Sequence, residues 1–258
     1  MQNIDLLFII EPAIVIAFSV GTVLYWHRKH GFGRAVLGFS LLAYGGAIGL
    51  KVILQYLTAP LFLAASHASL WLLGLYIGLQ TVVFEVGGAF LVVRFAISRG
   101  KMKQRDAGAY GLGLAFWENA VLLGVIALLS AISYFIVISQ GGQAAESMYM
   151  LLSTTQPQLF YPPQSALPLV GWGLLERVSS LMVHLSWGYL CVTAAAQHKR
   201  EVLFLALPMG FVDFLVPFVQ ILTVPLFEII VFMLTSICVF VAVYFTRVGE
   251  VGYKKRGR

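Results

Sequence analysis

Long apolar stretches separated by short polar breaks set the pattern of this chain. Seven stretches approach the ~20 apolar residues that a helix needs to cross a bilayer. They lie at roughly 5–26, 35–57, 70–97, 107–138, 169–197, 202–222 and 225–246. The third, fourth and fifth are over-long, which predicts tilt or helical extension beyond the bilayer. The expected fold is all-α, a polytopic seven-helix bundle forming one domain over 1–258, because no hydrophilic linker is long enough to separate domains. No internal repeat is visible. Glu11-Pro12 interrupts the first stretch, which lacks a basic leader and reads as a span, not a cleavable signal.

Composition agrees with this reading. Of 258 residues, 60% are hydrophobic and 11% charged, against about 25% charged in a soluble domain. Cys191 and Cys238 lie inside apolar stretches and imply no disulfide framework.

The net charge of +6 is explained by its distribution, so no nucleic-acid partner is expected. Fifteen of the seventeen Lys and Arg fall in alternate connections and the tail. These are Arg28, Lys29 and Arg34; Arg94, Arg99, Lys101, Lys103 and Arg105; Lys199 and Arg200; and Arg247, Lys254, Lys255, Arg256 and Arg258. The other connections, 58–69, 139–168 and 223–224, carry none. The positive-inside rule then places the amino terminus outside and the carboxyl terminus in the cytoplasm. The expected location is the cell membrane, with the basic tail 247–258 lying along anionic headgroups. The long 139–168 connection, with Pro157, Pro162, Pro163 and Pro168, is an outer loop with a short interfacial helix expected near 145–153.

Against this apolar background a few ionisable residues stand out: Glu85, Glu118, Glu176, Arg177, His184, Asp213 and Lys51. Each charge at the bilayer centre costs at least ~2.5 kcal/mol, so partners or chemistry are required. Counting about 1.5 Å per residue, Glu85, Glu118, His184 and Asp213 reach a similar depth on four different helices. One shared polar site is the expectation. For any one of them, a protonated, hydrogen-bonded carboxyl gluing helices together is an equal alternative. Glu11 and Glu228, near span ends, are expected to snorkel toward the interface. Lys51 reads as an ion-pair partner. His27 and His30 have weak metal spacing in a surface loop, and His67 and His198 sit at span ends. Pro208 and Pro217 bracket Asp213 and predict a kinked sixth span.

Four segments carry a family resemblance: FEVGGAFLVVR (84–94), GLGLAFWENAVLLG (111–124), LLERVSSLMVHLSWGYL (174–190) and LALPMGFVDFL (205–215). Together they resemble the YhfC family of intramembrane metalloproteases, over roughly 70–220. That family lies within the superfamily of CAAX prenyl endopeptidases and abortive-infection proteases. Its patterns are E-E-x-x-R, G-H-G before a Glu, and H-x-x-x-D. Here Val86 and Ala89 depart from the first, Leu114 from the second and Met209 from the third. Glu176-Arg177 with His184 is the most specific element. The H-x-x-W-G run at 184–188 is also similar to the anterior-pharynx-defective scaffold subunit of gamma-secretase.

The resemblance implies an intramembrane endopeptidase whose partner is a transmembrane substrate helix. Glu85 would be the general base, and His184 would bind water or the oxyanion. Glu118 and Asp213 would orient His184 or complete a weak metal site, and Glu176-Arg177 would be a structural ion pair. Zinc is disfavoured as a cofactor, since one imidazole with carboxylates is a poor set for it. The alternatives are a non-catalytic scaffold of the same superfamily that holds a partner helix, and a proton- or cation-coupled transporter.

Overall fold

The structure is a computed structural model and describes residues 4–61 and 69–256, with side chains through Phe245. The described residues are helical apart from short connections and contain no strand. The basic tail and His67 lie outside the described side chains.

Seven helices are long and apolar enough to cross a membrane. We label them α1 (Leu7–His30), α2 (Arg34–Leu57), α3 (Leu70–Ser98), α4 (Gln104–Gln140), α6 (Pro163–Gln197), α7 (Arg200–Gln220) and α8 (Val224–Arg256), with the shorter α5 (Gly142–Thr155) between α4 and α6. Their ends have local causes. α1 closes on His27, Arg28, Lys29 and His30, which complement the negative end of the helix dipole, and stops at Gly31 with φ +58°. Ser69 caps α3 by accepting from the Trp71 amide at 3.2 Å. α6 stops at His198 in the left-handed conformation.

α6 differs from the sequence expectation of a start at 169. The helix begins earlier, with Pro163 in its first turn, where a missing amide hydrogen costs nothing. Pro168 is absorbed within it, at the loss of one backbone bond. The 139–168 connection is therefore largely helical, as α5 and the start of α6.

α6 is the central helix. Of its most apolar window, 67% is buried in the protein, against 11–33% for the other six spans. Small residues let neighbours close on it. A Cβ at Gly111 would lie 2.8 Å from the Leu185 backbone, so α4 and α6 meet backbone to backbone. The Cys191 thiol points at the Val86 carbonyl, 3.6 Å away, tying α6 to α3. Tyr110 donates to the Ala89 carbonyl at 3.0 Å, tying α4 to α3.

Among the described residues, three stretches within the interior of the spans leave α-helical geometry, and all three carry intramembrane acids. Thr81–Gly87 of α3, holding Glu85, is π-helical. So is Trp117–Val125 of α4, holding Glu118. Leu207–Gln220 of α7, holding Asp213, is a 3-10 helix. Runs of this last kind seldom exceed about 3–4 residues, and π turns concentrate at functional sites. In α7, Pro208 and Pro217 each remove an α-helical hydrogen bond, and the departure from regular helix that they imply takes the form of tighter 3-10 winding.

Candidate active site

The site is built from α3, α4 and α6 around His184. Ser180 lies one turn before it. The His184 Nδ1 sits 2.8 Å from the Ser180 carbonyl. A carbonyl only accepts, so Nδ1 carries the hydrogen, and the ring is fixed with Nε2 facing away from its own helix. Trp187 packs against the imidazole with ring centroids 4.4 Å apart, and Tyr44 meets it edge-on at 5.9 Å. This accounts for the H-x-x-W-G run: Trp187 braces the ring, and Gly188 lets α4 approach.

Two carboxylates face Nε2. Glu118 Oε2 is 3.1 Å from it and Glu85 Oε2 is 3.5 Å from it. Their other oxygens are held by cations. Lys51 of α2 pairs with Glu85 Oε1 and donates to Thr81 Oγ1 at 2.6 Å. Arg177 lies 3.4 Å from Glu118 Oε1, which also accepts from Ser180 Oγ at 3.0 Å. Glu85 and His184 are 7% and 4% exposed.

The remaining residues named from the sequence take other positions. Glu176 pairs with Arg177, which also donates to Asn119 Oδ1 at 3.2 Å. Arg177 therefore links the rim pair to Glu118. Asp213 lines the same cavity of about 110 Å³ as Glu85, Glu118, Glu176, Arg177 and His184. It accepts from Thr81 at 2.5 Å and lies 3.7 Å from Lys51, and it is not among the atoms that converge on Nε2. Its connection to the site runs through Thr81 and Lys51, not through the imidazole.

Another expectation is corrected. Glu228 does not snorkel: it is 5% exposed and its Oε2 has no hydrogen-bond partner. The surface reading of His27 and His30 holds, since both are exposed, and His30 packs on Trp26 and His27 on Phe32. Sequence reasoning missed Thr81, Ser180, Tyr44 and Asn119. Two of them had a signal, because Thr81 and Ser180 each precede a site residue by four and share its helix face.

The donors fit a divalent cation. Among the described residues, only Glu85, Glu118 and His184 bring metal-type ligand atoms within 4.8 Å of one another. The His184 Nε2 is buried and makes no hydrogen bond. With Nδ1 protonated, a bare Nε2 lone pair against two carboxylate oxygens is repulsive, so a positive species, proton or metal cation, belongs between them. Four carboxylates (Glu85, Glu118, Glu176, Asp213) face two cations (Lys51, Arg177), an excess of two negative charges when all are ionised. The Nδ1 bond to a backbone carbonyl is also the usual way an imidazole ligand is oriented.

A multi-pass integral membrane protein with a buried Glu/Glu/His site is the class these features define. The model of the YhfC intramembrane metalloprotease family matches residues 14–234, and the chain belongs to that family. No curated protein and no solved structure matches it.

Proposed function

We propose that this protein is an intramembrane endopeptidase that hydrolyses a peptide bond of a membrane-embedded substrate at Glu85, Glu118 and His184. The observation that carries this reading is the meeting of three donors from three spans at a buried imidazole nitrogen. Peptide hydrolysis needs a water, a base for its proton, and charge stabilisation on the carbonyl oxygen. The cavity has room for a few waters beside these groups.

Glu85 is the base in this proposal. Lys51, itself held by Thr81, fixes its position from behind through Oε1 and leaves Oε2 facing the site. It accepts the proton of the attacking water and returns it to the departing amine. His184, with its ring fixed by Ser180 and Trp187, holds the water through a bare Nε2, or the developing oxyanion when Nε2 carries a proton. Glu118, anchored by Arg177 and Ser180, holds the imidazole side of the site. If a divalent cation is taken up, Glu118 and His184 are its principal ligands, with the Glu85 carboxylate alongside. Such a cation, when bound, supplies Lewis-acid polarisation of the carbonyl and a more acidic water.

One observation favours a second reading. Leu114 and Met209, at positions where the resembled patterns have histidine, are buried in the apolar core. That suits a scaffold that keeps the fold without the chemistry. The deciding experiment uses purified protein in vesicles with a membrane-spanning peptide. Peptide cleavage that falls at least ~10²-fold in Glu85→Gln supports hydrolysis, since general-base catalysis contributes about 10²–10⁴. Equal cleavage by both proteins overturns Glu85 as the base, and binding without cleavage supports the scaffold.

A further inference from the structure

The site cavity is bounded on one side by two helices that pack less closely on each other than on their other neighbours. α7 packs along α3, with Phe214 seated against Gly74 and Gly78, and Gly210 within 3.0 Å of the Val82 backbone once given a Cβ. α8 packs along α6. Between α7 and α8 contact is sparser, and a short connection at 221–223 ties them at one end. Their facing residues line the cavity directly: Val212, Asp213 and Val216 from α7, and Phe227, Val231 and Thr235 from α8.

Exposure follows the same seam. Glu85 and His184 are nearly sealed, but on α7 the Asp213 side chain is 38% exposed and Val216 47%. Asp213 is in a membrane-spanning helix, where exposed charge is costly. The cavity therefore reaches the side of the bundle at this seam. α7 is also the span wound as a 3-10 helix over Leu207–Gln220, a form that marks hinges.

We propose that the α7–α8 seam is the lateral portal through which a single transmembrane helix of a substrate enters, with a short stretch of it unwound. This rests on the hydrolytic reading for what happens inside, but not for where the chain enters. The occupant is set by size and depth. A chain reaching mid-membrane groups from the side must itself be embedded in the bilayer. A helix with side chains is about 10–12 Å across, and a cavity of about 110 Å³ cannot hold one. An extended strand exposes its amide groups, and the seam offers the partly exposed Asp213 carboxylate among otherwise apolar residues to meet them.

The test is photo-crosslinking in the Glu85→Gln background. The photoreactive phenylalanine analogue p-benzoylphenylalanine replaces Val216 or Phe227 at the seam, or Leu42 on α2 or Leu129 on α4, both more than half exposed. The probe is a synthetic Ala/Leu-rich single-span peptide with a central Gly pair, in phosphatidylcholine–phosphatidylglycerol vesicles. Seam positions should capture the peptide at least ~10-fold more than the two controls. Equal capture at all positions, or greater capture at the controls, overturns the portal. Phe227 is itself aromatic, so that replacement keeps the test open if Val216 does not tolerate the analogue. Cleavage of the same peptide by the unsubstituted protein is measured in parallel. It tests hydrolysis alone, so failure of one reading is distinguishable from failure of the other.

Discussion

Arg177→Ala removes the cation that joins the rim of the bundle to its site. Its guanidinium is 14% exposed and contacts Glu118, Glu176 and Asn119. Removing one partner of a buried pair costs about 3–5 kcal/mol, because the other charge is left unpaired. Here Glu118 is 17% exposed and loses its guanidinium partner, keeping the Ser180 hydroxyl. Glu176 is 46% exposed, so its share is discounted for screening. The lower end, about 3 kcal/mol, is the appropriate figure, which at ~2–4 °C per kcal/mol for a chain of this size is a Tm loss of roughly 6–12 °C. The assay is thermal unfolding in detergent, monitored by loss of monodisperse protein. Glu118→Gln introduced alongside Arg177→Ala should recover part of the loss, since the stranded charge is then gone. A Tm within about 1 °C of the unsubstituted protein, on a transition of that size, would refute the network.

Three further outcomes are expected. Gly111→Val should lower stability by at least ~1–3 kcal/mol, because a side chain there meets the Leu185 backbone, which cannot yield as a side chain can; an unchanged Tm would contradict that close approach. A cysteine placed in α5, on the Gly142–Thr155 helix, should react with impermeant reagent from outside intact cells, as the distribution of Lys and Arg requires; labelling only from the cytoplasmic side would invert the topology. Any divalent cation bound at the site should leave under mild chelation, and His184→Ala should weaken its rebinding in elemental analysis; stoichiometric zinc surviving the chelator would contradict a site with a single imidazole.

The spans were legible because apolar length is an additive property of sequence. Each ionisable residue inside them was conspicuous because a charge in hydrocarbon needs a reason. Equal depth implies that Glu85, Glu118, His184 and Asp213 share one cavity, and the structure lines one cavity with all four. The direction each side chain takes around its helix was not legible. A π turn adds a residue to the turn and re-aims the side chains beyond it, and nothing in the local composition of Thr81–Gly87 or Trp117–Val125 announces one. Asp213 lies in the 3-10 stretch of α7, whose winding the two flanking prolines do not specify, and it meets Thr81 and Lys51 and not the imidazole. Lys51 was recognisable as an ion-pair partner but not as the partner of Glu85, since the pairing depends on how α2 packs against α3. Nearness to a span end suggests snorkelling for Glu228, and tertiary cover by neighbours overrides that.

Whether Glu85 and His184 form one hydrolytic unit is the central question, and a double-variant cycle on cleavage rate asks it most directly. Glu85→Gln, His184→Ala and the double variant are compared with the unsubstituted protein in vesicles, on one membrane-spanning peptide. Groups that act as a unit are strongly non-additive. Each single substitution should lower kcat by at least ~10²-fold, and the double variant should fall no further than the worse single. Near-normal cleavage by either single variant, or losses that multiply in the double, would contradict it.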